Sequence, residues 1–172
     1  TIKKYLEYLE AAFLIKKVHR VDRTAKRFKR ANFFKVYLTN PSIRSALFSP
    51  ISDKDEAIGA LAETAIFSQW FHSDTLLHYA RWKNGEVDIV NFDKNQKVLW
   101  LTEVKWTDRF YNRPYELKSL LRFCHSNNLD SAVVTTLSKS GNIKVENVNI
   151  NFIPTSIYCY AVGRNSIKGK IN

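Results

Sequence analysis

The sequence predicts an α/β (α+β) fold, a mixed sheet of four to five strands flanked by helices. Three observations predict it. From residue 55 onward, helical and strand-like runs follow one another as helix, three strands, helix, strand. The three strands are joined by turns as short as "KNG" and "DKNQ", which suit antiparallel hairpins, while the last strand is reached through a helix, which suits a parallel crossover. A hydrophobic fraction of 45% with 13% aromatics supplies the core that a disordered chain lacks.

The chain opens with "TIKKYLEYLEAAFLI", where Thr1 is placed to cap a helix and Tyr5, Leu6, Leu9, Ala12 and Phe13 recur at helical spacing. "FLIKKVHRVD" and "NFFKVYLT" read as two strands around the basic loop "RTAKRFKRA". A helix followed by a hairpin with a cationic loop is the closing part of a winged helix, so residues 1–44 are expected to form a partial winged-helix-like unit. "NPSIRSALFSPISDKD", broken by Pro41 and Pro50, predicts a short helix and a connector into the main domain, residues 45–172. "DEAIGALAETAIFSQWFH" predicts a helix with acidic residues in its first turn and a stripe of Ile58, Leu61, Ala62, Ala65 and Ile66. Strands are expected at "LLHYARW", "EVDIVNF" and "KVLWLTEVKW", a helix at "RPYELKSLLRFCHSN", strands at "SAVVTTL" and "VNINFIP", and a helix at "TSIYCYAV". "GRNSIKGKIN" is expected to fray.

Composition narrows the function classes. No apolar run approaches the ~18 residues that cross a membrane and no signal pattern opens the chain, so a cytoplasmic protein without membrane partners is expected. Cys124 and Cys159 lie far apart in apolar segments, which fits free thiols better than a disulfide. His19, His72, His78 and His125 show no ligand spacing with the cysteines, which argues against zinc. The chain starts at Thr1 and holds no methionine, which reads as a piece of something longer.

The net charge of +11 is uneven: residues 1–44 hold 12 Lys/Arg against 3 Asp/Glu, and the rest hold 15 against 13. Such an excess at one end points to a polyanion, and Arg20, Arg23, Lys26, Arg27, Lys29 and Arg30 are assigned to phosphate contact. A solvated basic loop is the plainer alternative.

Four ionisable groups stand out in the strands "GEVDIVNF" and "KVLWLTEVKW": Glu86, Asp88, Glu103 and Lys105. Charges enter apolar strands when they are paired, bind a metal or do chemistry. Alternation puts Glu86 and Asp88 on one face, and a short hairpin sets Asp88 opposite Glu103 at ~5 Å between Cβ atoms. Two carboxylates so close require a positive charge, and a divalent cation that keeps waters and takes one or two carboxylates would supply it. Glu63 adds a fifth anomaly, since its helical neighbours Gly59, Ile66, Phe67 and Trp70 are not solvated types. A cross-strand Asp88–Lys105 ion pair is the alternative, and it leaves Glu63 and Glu103 without partners.

Asp88, 14 intervening residues, then Glu103-Val104-Lys105 resembles the D…(D/E)-x-K signature of the PD-(D/E)xK nuclease superfamily. Glu63 is similar to the extra acidic residue that many members carry on the preceding helix. More narrowly, "YLEYLEAAFLI", "KVYLTNPSIRSAL", "GALAETAIF", "GEVDIV" and "EVKW" together resemble the C-terminal nuclease-like domain of prokaryotic AAA+ ATPases, a domain-of-unknown-function family. The resemblance runs from Thr1 to about Leu137. No proline precedes Asp88, and no Walker A glycine loop is present.

The resemblance implies a restriction-endonuclease-like αβββαβ core and Mg²⁺ (or Mn²⁺) held by Asp88, Glu103 and the backbone carbonyl of Val104, with Glu63 assisting. It implies that Lys105 positions the attacking water or stabilises transition-state charge, and that DNA is hydrolysed. An AAA+ ATPase module is the implied partner, and a homodimer is compatible with cutting both strands. The rival reading is an inactive nuclease-fold module that binds DNA or docks to an ATPase. A third is that residues 1–44 form a protein–protein surface for the ATPase, which predicts weak salt dependence of any DNA affinity. Trp106, just past the motif, is a candidate for base stacking.

Overall fold

Residues 1–26, 33–52 and 55–171 are described by a computed structural model. Helix α1, Ile2–Ala11, stops where Phe13 takes a φ of 56°, which turns the chain into β1, Ile15–Val21. The apolar residues of α1 do not enter a core, since none of the helix is buried. It is tied back by Glu10, whose carboxylate lies 2.7 Å from Lys17 Nζ. Thr1 sits at the N-cap position but its side chain makes no capping hydrogen bond. Strand β2, Phe34–Leu38, pairs antiparallel with β1, and β1 pairs parallel on its other side with β3, Leu77–Trp82. The hairpin is therefore an extension of the main sheet, continuous across the boundary drawn at residue 44.

Helix α2, Ser42–Leu47, fills the proline-bounded connector as expected. Helix α3 spans Ile58–Trp70, so the acidic residues expected in its first turn fall before it. Asp55 instead accepts a hydrogen bond from the Ala57 amide at 2.8 Å, an Asx-type turn that leads into the helix. Strand β3 runs antiparallel to β4, Gly85–Phe92, and β4 runs antiparallel to β5, Val98–Glu103. At the first turn Gly85 is required by close approach, because a Cβ there would lie 2.4 Å from the Trp82 ring. At the second, the Asp93 carboxylate accepts from the amides of Asn95 and Lys97 while Gln96 takes a φ of 63°.

After β5 the chain makes a short helix α4, Arg109–Asn112, and a 3₁₀ turn, Pro114–Glu116, before α5, Lys118–Ser126. The crossover delivers β6, Ser131–Thr136, parallel to β5. Strand β8, Val148–Pro154, then lies parallel to β6 and is preceded by a strand the sequence reading passed over, β7, Gly141–Val145. The segment expected to fray is also different, since helix α6 continues from Thr155 to Ile171. The sheet order is β2-β1-β3-β4-β5-β6-β8-β7, more strands than the four or five predicted because the β1–β2 hairpin and β7 both join it.

Helices cover both faces. On one, Leu120, Leu121, Phe123 and Cys124 of α5 bury against Val87, Val90, Leu101 and Val134. On the other, Ala62, Ile66 and Phe67 of α3 and Tyr158 and Val162 of α6 bury against Val18, Leu77 and Ile89. Each large side chain removed from water in this way contributes about 1.5–3 kcal/mol. Cys124 and Cys159 belong to these opposite layers and are both free thiols, and burial pushes the Cys124 thiol up to about 12. No helix among the described residues is long and apolar enough to cross a membrane.

Candidate active site

The centre of the charged cluster is a defect in the sheet. Between the pairs Ala80↔Val87 and His78↔Val90, β4 advances three residues while β3 advances two. Asp88 and Ile89 thus form a bulge opposite Tyr79, and a bulge re-aims side chains away from simple alternation. Glu86 and Asp88 keep the shared face expected of them, since Lys35 feels both carboxylates while Val87 and Val90 bury in the opposite layer. The bulge brings Ile89 to the Asp88 side as well. On the other edge, the register Ile89↔Thr102 carries Asp88 to the end of the β4–β5 ladder, beside Glu103.

The segment after β5 is pinned on both sides. The Val104 amide donates to Asp88 Oδ2 at 2.8 Å, and the Lys105 amide donates to Thr135 Oγ1 at 2.8 Å. Lys105 Nζ lies 2.7 Å from Glu103 Oε1 and 5.6 Å from the centre of the Phe110 ring. Glu103 is 7% exposed, and its other oxygen, Oε2, is buried with no hydrogen-bond partner among the described residues. Unpaired buried carboxylate oxygens are costly, so this atom marks an unfinished interaction.

Two residues that the sequence reading left out complete the cluster. Lys35 of β2 places Nζ 3.1 Å from Glu63 Oε1 and in contact with Glu86 Oε1. Tyr37, two residues along the same strand, donates its hydroxyl to Glu63 Oε1 and stacks its ring on Phe67 at 4.1 Å. Their signal was present in "NFFKVYLT": a lysine and a tyrosine two apart address the same face of a strand. Arg81, opposite Glu86 in the β3–β4 ladder, approaches it at 3.5 Å from the exposed side.

The electrostatics follow from this crowding. Burial, then Glu103, then Glu63 push the Asp88 carboxyl well above its ordinary value. Burial also raises Glu103, against the opposing pull of Lys105. Burial favours neutral lysines, yet Glu103 and Asp88 outweigh it at Lys105, and Glu63 and Glu86 outweigh it at Lys35, so both stay firmly cationic. Among the described residues no three His, Cys, Asp or Glu side chains converge into a metal-holding group. Two carboxylates suffice for Mg²⁺, which fills its remaining positions with water and substrate oxygens. The donors that fit such an ion are Asp88 and Glu103, one with a strongly disfavoured charge and the other with an orphaned oxygen.

Of the basic residues singled out, Arg27, Lys29 and Arg30 lie outside the described residues. Arg23 and Lys26 are exposed, in a turn organised by Asp22. Arg20 Nε donates to the Arg81 carbonyl at 2.9 Å, so the root of the basic loop lies at the Glu86 end of the sheet. Trp106 packs against the α3–α6 layer. His19 and His78 face one another in the β1–β3 register, and His125 lies 3.0 Å from Glu146.

Residues 1–55 are similar to a family described as Domain of unknown function (DUF8612), whose model matches them. That stretch contains Lys35 and Tyr37 and none of the four carboxylates. No curated protein and no solved structure matches the chain.

Proposed function

We propose that the cluster is the centre of a metal-dependent phosphodiester hydrolase of the PD-(D/E)xK type, acting on DNA. The order α3, antiparallel β3-β4-β5, α5 and a parallel β6 supports a restriction-endonuclease-like core. The observation that carries the reading is the buried, unpartnered Oε2 of Glu103 beside a bulged Asp88 whose charge is disfavoured without a cation. When bound, Mg²⁺ or Mn²⁺ would polarise a phosphodiester oxygen and acidify a water. Asp88 and Glu103 would hold it, with the Val104 carbonyl as a further donor.

The residues divide the remaining work. Lys105 keeps its proton under the fields of Glu103 and Asp88, so it stabilises charge developing on the phosphate and does not act as a general base. Burial and the neighbouring carboxylates disfavour the charge on Asp88, and a bound cation would offset that cost. Glu63 is fixed by Tyr37 and Lys35, which makes it a support for the site. Arg23 and Lys26 would meet the DNA backbone, and an AAA+ ATPase module remains the partner the resemblance suggests.

A second reading is favoured by Lys35 and Lys105, which already neutralise carboxylates: an inactive nuclease-fold module that binds DNA or docks to an ATPase. Calorimetric titration of Mn²⁺ into wild type and Asp88→Ala, followed by incubation with supercoiled plasmid, separates the two. Hydrolysis predicts metal binding and nicking that both disappear in Asp88→Ala. Salt-sensitive DNA binding with no metal uptake would leave only the second reading.

A further inference from the structure

Lys35 is not accounted for by the signature residues, and its position is specific. It comes from β2, yet its ammonium group lies between the carboxylate of Glu63 on α3 and that of Glu86 on β4. Its ammonium group lies over the Tyr79 ring, with Nζ 5.1 Å from the ring centre. The neighbouring Tyr37 hydroxyl binds the same Glu63 oxygen, which fixes that carboxylate toward the ammonium. The lysine is three-quarters buried, and two carboxylates contact it directly. A cation held between a helix carboxylate and a strand carboxylate neutralises both, so neither is left free for a divalent ion. The other half of the cluster differs: Glu103 Oε2 has no partner and Asp88 has no direct lysine contact among the described residues.

We infer that Lys35 is a resident cation of the site, which blocks the Glu63–Glu86 position and restricts the protein to one divalent ion at Asp88 and Glu103. The inference rests on the metal-dependent reading above and adds a stoichiometry to it. Lys35 is then a positioning residue: it holds Glu63 and Glu86 apart from the ion and leaves Asp88 and Glu103 as its ligands.

The test counts bound Mn²⁺ in the full chain by electron paramagnetic resonance of the free ion and by calorimetry, with no nucleic acid present. Wild type and Lys35→Arg are expected to bind one ion, and Lys35→Gln two. Adding Glu86→Gln to Lys35→Gln is expected to return the count to one. Two ions in the wild type, or an unchanged single ion in Lys35→Gln, overturns the inference and leaves the metal-dependent reading standing. No ion in the wild type overturns both. Should Lys35→Gln fail to fold, Lys35→Met, which keeps the apolar stem and removes the charge, takes its place with the same expected count of two, and a count of one overturns the inference.

Discussion

At Asp88 the carboxylate is opposed by burial and by two like charges, and its only described hydrogen bond comes from the Val104 amide. Its folded pKa therefore stands above the ordinary value of about 4. A raised acidic pKa contributes stability that is complete below that ordinary value and is lost as pH rises through the folded one. Metal-free protein should thus lose stability on going from about pH 4 upward. Asp88→Asn, which keeps an oxygen for the Val104 amide and removes the charge, should melt roughly 2–4 °C above wild type at pH 7 in metal-free buffer, the equivalent of about 1 kcal/mol. The same variant should lose Mn²⁺ binding. A melting temperature equal to or below the wild type would show that Asp88 is not held against its charge. In the wild type, Mn²⁺ binding should release protons and tighten with pH, which calorimetry in two buffers of different ionisation enthalpy reads directly.

Helix α3 shows how an element can serve both core and site. Its Phe67 is fully buried and stacks on Tyr37, and Tyr37 in turn holds Glu63. Phe67→Ala should cost about 3–5 kcal/mol in denaturant unfolding. It should also weaken Mn²⁺ binding, through the loosened Tyr37, under conditions where the variant remains folded. The helices and hairpins of the central unit were legible in the sequence, because their periodicity and turn chemistry are local: "KNG" and "DKNQ" fix turns whatever lies around them. Asp88, Glu103 and Lys105 were legible for the same reason, being close along two adjacent strands. What depends on distant partners was not. Strand β7 has little apolar patterning in "GNIKV", and the extension of α6 to Ile171 runs through two glycines and several polar residues. The Asp88 bulge is invisible without knowing that Tyr79 lies opposite, and Lys35 acquires its meaning only from Glu63 and Glu86 on two other elements.

Across the whole molecule the positive charge is gathered toward the end that carries the β1–β2 hairpin, and the root of that hairpin reaches the Glu86 end of the sheet. If DNA follows this field, its affinity should fall linearly with the logarithm of salt concentration, with a slope of about −0.9 for each phosphate neutralised. Arg23→Ala and Lys26→Ala are exposed changes away from the carboxylates, so each should lower that slope by about one and leave Mn²⁺ uptake unchanged. A slope that ignores both residues would remove the loop from the DNA surface.

The parallel register of β1 on β3 joins His19 to His78, residues 59 positions apart, with α2 and α3 between them. Such a pairing must close a long loop before any contact repays it, whereas the β3-β4-β5 meander closes through short turns. The carboxylates on β4 and β5 should therefore come together early in refolding, and Lys35 should arrive late, when the hairpin docks. Val18→Ala, in the buried face of β1, is expected to speed unfolding while leaving the refolding rate nearly unchanged. A marked slowing of refolding would place the hairpin in the nucleus. On this ordering a half-assembled chain briefly exposes its acidic cluster without Lys35, and added Mn²⁺ should accelerate or trap that stage, making the ion a reporter of assembly as well as of the finished site.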